Sequence, residues 1–523
     1  MRGTPEEPDP ADPAPAGPSS GGGGGGAVPV GRGGDGAGAD AAGADHVGQG
    51  LGDADADRVG PGADGAGSVP GGPGSEKASP VPVWLGVDGE VGPVRAESGV
   101  DGEVGPVSVF VLPKGTGPVR FGPPAPEPGL PVLPELTAAV AAAAGRSRAE
   151  PVGGDPALLD AACGYWSRRG LPVERGQVAA APGAPVLLLA LTAALGGGDV
   201  LLPRPCPAWW APQARSLGAS VYHVPTPAEC GGVPDPYALL ETVRRVRAEG
   251  GAPRVLVLSV ADDPTATVAP PEVLHEAVEA AAGEGLHIVS DETWRDTLHR
   301  PHDTVLIGPA EMDHARVTVL SDLSGAFLPP ALPAAVARFP TTSEGAALRA
   351  RTLDVLTALG ARLAAPVAAA AAYALGEPDE ISERLTTATR LHARVAAAVR
   401  DAVLAAGALA RPPRAGRHLY VDLEPLRPAL AERSVGDAQE LEDYLGERLG
   451  MPAPGAHRFG DELAALRVRL STAPLLGSTP QECMKSLTSP DPLELPHVER
   501  ALSIFRSTFD DLRADAQRME PPR

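Results

Sequence analysis

Hydrophobic positions along this chain fall into two alternating textures once the sequence has passed about Pro156. Segments with apolar residues every three or four positions predict helices over 157–169, 186–195, 237–249 and 272–284. Between them stand short, unbroken apolar runs at 200–202, 254–260 (RVLVLSV), 287–290 and 317–320, which predict strands. A strand that is apolar at every position is covered on both faces. Strands separated by helices of ten or more residues belong to a largely parallel sheet. The pattern therefore predicts an α/β domain over 151–343. After Glu344 the texture becomes helix-rich to about Ala406, and strands at 418–423 (HLYVDL) and 466–470 precede a closing helix from about Pro496. That predicts a second, smaller α+β domain over 344–515. The ELEDYLGERL stretch from Glu440 reads as a charged helix face. The alanine-rich run 363–375 is too short to span a bilayer and reads as a buried helix.

The first 80 residues carry no such pattern. Gly, Pro, Ala and Asp dominate them, with six glycines in a row from Gly21, and such a segment cannot bury enough apolar surface to offset its ordering entropy. A disordered tail is expected. In the following arm, 81–150, GVDGEVGPV occurs at Gly86 and again at Gly99; two copies are too few to close a solenoid core.

Composition narrows the possible partners. A net charge of −22 argues against nucleic acid and anionic membranes, which need clustered Lys and Arg. The N-terminus has neither a basic nor an apolar signal region. Cys163, Cys206, Cys230 and Cys483 form no CxxC pair, as expected of a reduced, cytoplasmic compartment. His299 and His302 lack a third ligand nearby, so they read as a solvated loop pair and no metal site is expected. Neither GxSxG, Walker A nor GxGxxG stands in the right context. The chain has three lysines, Lys77, Lys114 and Lys485, so amine chemistry has few places to happen.

Six segments carry a resemblance when taken in order. They are GLPVERGQVAAAPGAPVLLLAL, GGGDVLLPRPCPAWW, VADDPTATV, IVSDETW, LSDLSGAF and VRLST. In order and spacing they resemble class I/II, fold-type I, pyridoxal-phosphate-dependent aminotransferases, over roughly 115–510. The resemblance implies a three-layer αβα large domain with a mixed, mostly parallel sheet. It also implies a cofactor, pyridoxal phosphate, bound at a dimer interface. By that resemblance Gly183 and Ala184 lie at the phosphate, Asp263 at the phenolic oxygen and Asp291 at the ring nitrogen. Trp294 takes the place of a tyrosine, Asp322 and Ser324 belong to the phosphate cup, and Arg469 holds the substrate carboxylate.

The departures concern the chemistry. Where the family has its Schiff-base lysine this chain has Gly325, which can neither form an aldimine nor move a proton. Losing such a residue costs about 10⁴- to 10⁶-fold in rate. Asp322 brings a carboxylate to a phosphate site, and Pro333 stands where an arginine belongs. A like-charge contact at about 4 Å costs roughly 4 kcal/mol at an effective dielectric near 20, so cofactor binding is expected to be weak or absent. Pro207 replaces the stacking aromatic, with Trp209 or Trp210 as neighbours able to take its place. Asp291 and Arg469 also have bland readings: a turn cap paired with Arg295, and a strand-edge arginine like Arg467. The expectation is an aminotransferase-like protein without transaminase chemistry, binding a small amino-acid-like ligand through Arg469 or pairing with itself or an active homologue. The alternatives are an active aminotransferase with a non-standard site and a ligand-sensing regulatory module. Against the latter, the basic helix-turn-helix of such regulators is missing.

Overall fold

The structure is a computed structural model that describes residues 119–313 and 315–519. The glycine-rich tail, the duplicated segment, Lys77 and Lys114 lie outside the described residues. Seven strands form the larger sheet: β1 (Val178–Ala181), β2 (Asp199–Arg204), β3 (Val221–Pro225), β4 (Pro253–Ser259), β5 (His287–Asp291), β6 (Val317–Asp322) and β7 (Ala335–Arg338). Their order is β1-β7-β6-β5-β4-β2-β3. Only β7 runs antiparallel to its neighbours.

Helices cover both faces. In chain order they are α1 (Pro134–Ala143), α2 (Pro156–Arg168), α3 (Ala184–Ala194), α4 (Trp210–Ser216) and α5 (Pro236–Ala248). Then come α6 (Pro271–Gly283), α7 (Pro309–Met312), α8 (Ser343–Ala358) and α9 (Ala365–Leu375). Alternate residues of each strand feed opposite faces, as the pleat requires. Leu256, Leu258, Ile288 and Val319 join α1, α2, α5, α6, α7 and α9 in one core. Val255, Val257, Val289 and Leu320 join α3, α4 and α8 in the other. Two helices begin with the same device: Asp155 and Asp235 accept from the backbone of Leu158 and Ala238, and a proline follows each.

A three-stranded antiparallel sheet, β8 (Leu409–Ala410), β9 (His418–Asp422) and β10 (Arg467–Ser471), is ordered β10-β9-β8. It packs with α10 (Asp379–Ala405), α11 (Arg427–Ala431), α12 (Ala438–Leu449), α13 (Pro480–Thr488) and α14 (Pro496–Met519). Val395 and Val399 of α10, Leu441 and Leu445 of α12, and the stacked pair Phe505–Phe509 fill its core.

The unbroken apolar runs are the strands expected: those at 200–202, 287–290 and 317–320 are one to three residues longer, and that at 254–260 is shifted back by one. Three strands went unread in the hydrophobic pattern: VAAA, VYHVP and AVAR. Alanine is a strong helix former, so alanine strands carry no signature of their own; β1 was implied only by the resemblance. Helices α8 and α9, which composition groups with the second half of the chain, bury their apolar residues against the larger sheet. Among the described residues no helix is long and apolar enough to cross a membrane.

Helix α3 carries the turn on which the site is built, and Leu187 anchors it in the core with no exposed surface. Leu187→Ala is expected to lower unfolding free energy by about 2–5 kcal/mol, read from urea denaturation. A change of a few tenths would contradict this packing.

Candidate functional site

In a parallel sheet, ligands collect beyond the carboxyl ends of the strands. Four acidic residues converge there: Asp291 ends β5, Asp322 ends β6, and Asp262 and Asp263 follow β4. Each has left water and each has found a different partner.

Gly183 precedes α3 with φ of 98°, a left-handed backbone that glycine adopts without a Cβ penalty. This turn aims the first free N–H of the helix at β6. Ala184 N donates to Asp322 Oδ2 at 2.8 Å, while Ser324 N (2.9 Å) and Oγ (2.5 Å) donate to Oδ1. A helix N-terminus favours an anion through its orphan donors and its dipole. Here that anion is a side chain of the protein.

Beyond Asp322 the loop passes close to Thr293, whose Oγ1 accepts from Asp322 N at 3.0 Å. A Cβ built on Gly325 would lie 2.5 Å from Thr293 Cγ2 and 2.9 Å from its carbonyl oxygen. No side chain fits on this backbone unless Thr293 moves.

Asp291 is buried and accepts from Thr293 N (3.0 Å) and from the indole N–H of Trp210 (3.1 Å). Burial raises its pKa to about 6, against the opposing pull of the Thr293 and Trp210 hydrogen bonds, and the Asp322 charge adds to the rise. The turn-cap reading holds. The pairing with Arg295 does not, because Arg295 bonds Glu292 (2.9 Å) and Glu311 (3.0 Å) instead. Of the two tryptophans offered as stacking partners, Trp210 lies in the core, and half-buried Trp209 meets it edge-on.

Arg469 lies on β10 and is only 8% exposed. Its Nη1 donates to both oxygens of Asp263 at 3.0 Å, and Nη2 donates to Glu127 Oε1 at 3.0 Å. The strand-edge description belongs to Arg467, half-exposed and paired with Asp422 and Asp461. Glu127 also accepts from Ser471 Oγ (2.6 Å), lies 3.0 Å from His418 Nε2, and has Arg417 Nε at 3.1 Å, off the hydrogen-bond direction. His418 Nδ1 stands 3.2 Å from Asp263. Burial works against charge in Glu127, Asp263 and His418, yet pairing prevails. His418, Arg417 and Arg469 hold Glu127 far below the usual carboxylate range. Asp263 is lowered to about 2 by Arg469 and His418, so it is ionised at neutral pH. His418 is raised by Glu127 and Asp263. Next to Asp263 in the chain, Asp262 lacks a cation, and burial lifts it to about 7. Trp294 packs edge-on against His418 with Arg417 over its ring, both at 5.3 Å.

Glu127, Arg417 and His418 were not foreseen. Glu127 had one available signal, being the sole acidic residue of the proline-rich stretch from Arg120 to Pro134. His299 corrects an expectation. Rather than being solvated, its ring nitrogens lie 3.1 Å and 2.9 Å from the carbonyls of Pro413 and Gly416, because that loop folds over it. His302 is exposed. Among the described residues no group of three or more His, Cys, Asp or Glu is arranged to hold a metal.

A raised Asp291 pKa means that the folded protein binds this proton more tightly than the unfolded chain. Its contribution to stability is present below about pH 4 and is lost as pH rises through 6. The Trp210 hydrogen bond favours the ionised form and limits that loss. Trp210→Phe should therefore cost about 1–3 kcal/mol at pH 8 and clearly less at pH 5, measured by urea unfolding at both. Equal costs would mean that the indole does not serve the ionised carboxylate.

The family model "Aminotransferase class I and II" matches residues 127–470. A probable aspartate/prephenate aminotransferase of Thermus aquaticus is 31% identical over 162 residues, which is 30% of this chain and 41% of that protein. The chain thus spans less than half the length of this curated relative. A tetra mutant of Thermus thermophilus aspartate aminotransferase superposes with a TM-score of 0.59 at 21% identity, covering 74% of this chain and 96% of that one. Aromatic aminotransferase from Pyrococcus horikoshii OT3 gives 0.60 at 16% identity, covering 75% and 95%. At these identities the likeness is one of fold, and it agrees with the three-layer architecture and mostly parallel sheet described above. With the family model matching well over half of its length, this chain belongs to the class I and II aminotransferases.

Proposed function

We propose that this protein is a non-catalytic aminotransferase-fold protein in which its own side chains stand where cofactor and substrate would bind. The observation that carries this reading is the contact between Gly325 and Thr293, which leaves no room even for a Cβ at the family's lysine position. Pyridoxal phosphate, when bound, supplies an electron sink for carbanions, and the protein supplies its tether, orientation and electrostatics.

The residues present do not fit that group. The tether is missing. The helix N-terminus that would receive the phosphate already binds the Asp322 carboxylate. The Trp210 indole supplies Asp291 with the N–H that a pyridinium would bring. Ionised Asp263 would face the phenolic oxygen as a like charge. No catalytic step is therefore assigned to any residue. Lys485, the one lysine among the described residues, is exposed on α13, which disfavours an active enzyme with a non-standard site. The reading retains a cytoplasmic protein that pairs with itself or with an active homologue, and a ligand of the carboxylate class.

The test is reduction with borohydride after incubation with pyridoxal phosphate, followed by peptide mapping. No stoichiometric adduct is expected on the wild type. Gly325→Lys should not create one and should lose about 1–3 kcal/mol of stability to overpacking. A wild-type adduct at unit stoichiometry on a single lysine would overturn the reading.

A further inference from the structure

Glu127 sits on a segment unlike the rest of the molecule. Residues 121–129 are mostly exposed, five prolines fall between 123 and 131, and no helix or strand includes them. The segment is tied at its two ends, where Gly122 O accepts from Arg458 and Pro131 O accepts from Arg384, each at 2.6 Å. Between these ties, residues 123–130 make no backbone hydrogen bond within the described chain. In the middle one carboxylate points inward, and Leu130 packs against the core of the smaller sheet. Residues 123–127 roof a cavity of about 180 Å³ that also contains Trp209, Trp294, Asp263 and Arg469. Residues 128–133 wall a second of about 100 Å³ beside Gly325.

We propose that residues 119–133 form a strap whose Glu127 is a tethered ligand. It occupies the seat made by Arg469, Arg417, His418 and Ser471, for which a free small dicarboxylate competes. The inference rests on the preceding reading, since a working enzyme would need this seat open to its substrate. Arg469, His418 and Ser471 hydrogen-bond one carboxylate and the Arg417 cation stands beside it, and buried cations left without a counter-charge are strongly destabilising. A purely structural ion pair would be expected on a hydrogen-bonded element. Here the carrier is a proline-rich segment outside any helix or strand, with Glu127 as its one charged residue between the two ties. A tethered ligand also acts at an effective concentration in the millimolar range. It therefore masks the seat from free ligands of ordinary affinity without any change in the seat itself.

The experiment titrates succinate into the full-length protein by calorimetry, comparing wild type, Glu127→Ala and Glu127→Ala/Arg469→Met, with folding checked by circular dichroism. A spin label at Ala125→Cys reports strap mobility. Glu127→Ala should bind succinate at least tenfold more tightly than wild type, and Arg469→Met should abolish that binding. The label should be immobile in wild type, and mobile in Glu127→Ala and in wild type at saturating succinate. Equal affinity in wild type and Glu127→Ala, absence of binding to Glu127→Ala, or a label that stays immobile would each overturn the strap. Should Glu127→Ala fail to fold, Glu127→Gln removes the charge at constant volume, and the same label must then become mobile if the strap is held by that charge. No pyridoxal phosphate enters this titration, so a covalent adduct in the earlier test would sink the non-catalytic reading while succinate alone decides the strap.

Discussion

A carboxylate removed from water must be met by donors or take up a proton. Every notable feature of this site follows from how five carboxylates satisfy that constraint. Asp322 is met by a helix N-terminus and Ser324, Asp263 and Glu127 by Arg469 and His418, and Asp291 by an indole and a backbone amide. Asp262 has only hydroxyls and an amide, so it holds its proton up to about pH 7. Each solution comes from within the chain.

On the non-catalytic reading proposed above, this self-sufficiency accounts for a scaffold that is intact around an altered centre. In a cofactor-dependent fold, the anion at the helix N-terminus and the donor to the strand-end carboxylate arrive with the cofactor. Without it those groups would stay buried and unpaired, at a cost of about 1–3 kcal/mol each. Asp322 and Trp210 remove both penalties. The phosphate end was already foreshadowed by charge, because an acidic side chain next to a helix N-terminus is stable for the same reason that a phosphate is.

How much of this could be read from the sequence follows from the range of the interactions. Strands such as RVLVLSV declare themselves, since burial on both faces leaves an unbroken apolar run. The alanine strands β1 and β7 do not. Gly325 and Asp322 stood out in the sequence as departures from a motif. The approach of Thr293 to Gly325 is a contact across 32 residues that spacing cannot reveal. Arg469 was legible through VRLST, but its partner Glu127 lies 342 residues away in a proline-rich stretch with no periodic signal. Trp210 carries a similar lesson. Its type suggested stacking, whereas its indole N–H, 81 residues from Asp291, decides its place.

Thr293 ties these elements together. Its amide caps Asp291, its hydroxyl accepts from Asp322 N, and its methyl and carbonyl press on Gly325. One residue thereby couples Asp291, Asp322 and Gly325, and groups that share a partner do not respond additively to change. A side chain at position 325 alone displaces Thr293 and so loosens both carboxylates. Replacing Asp322 alone strands the Ala184 N–H at the head of α3. On the non-catalytic reading proposed above, the coupling through Thr293 makes the self-filled arrangement a stable end state of the fold.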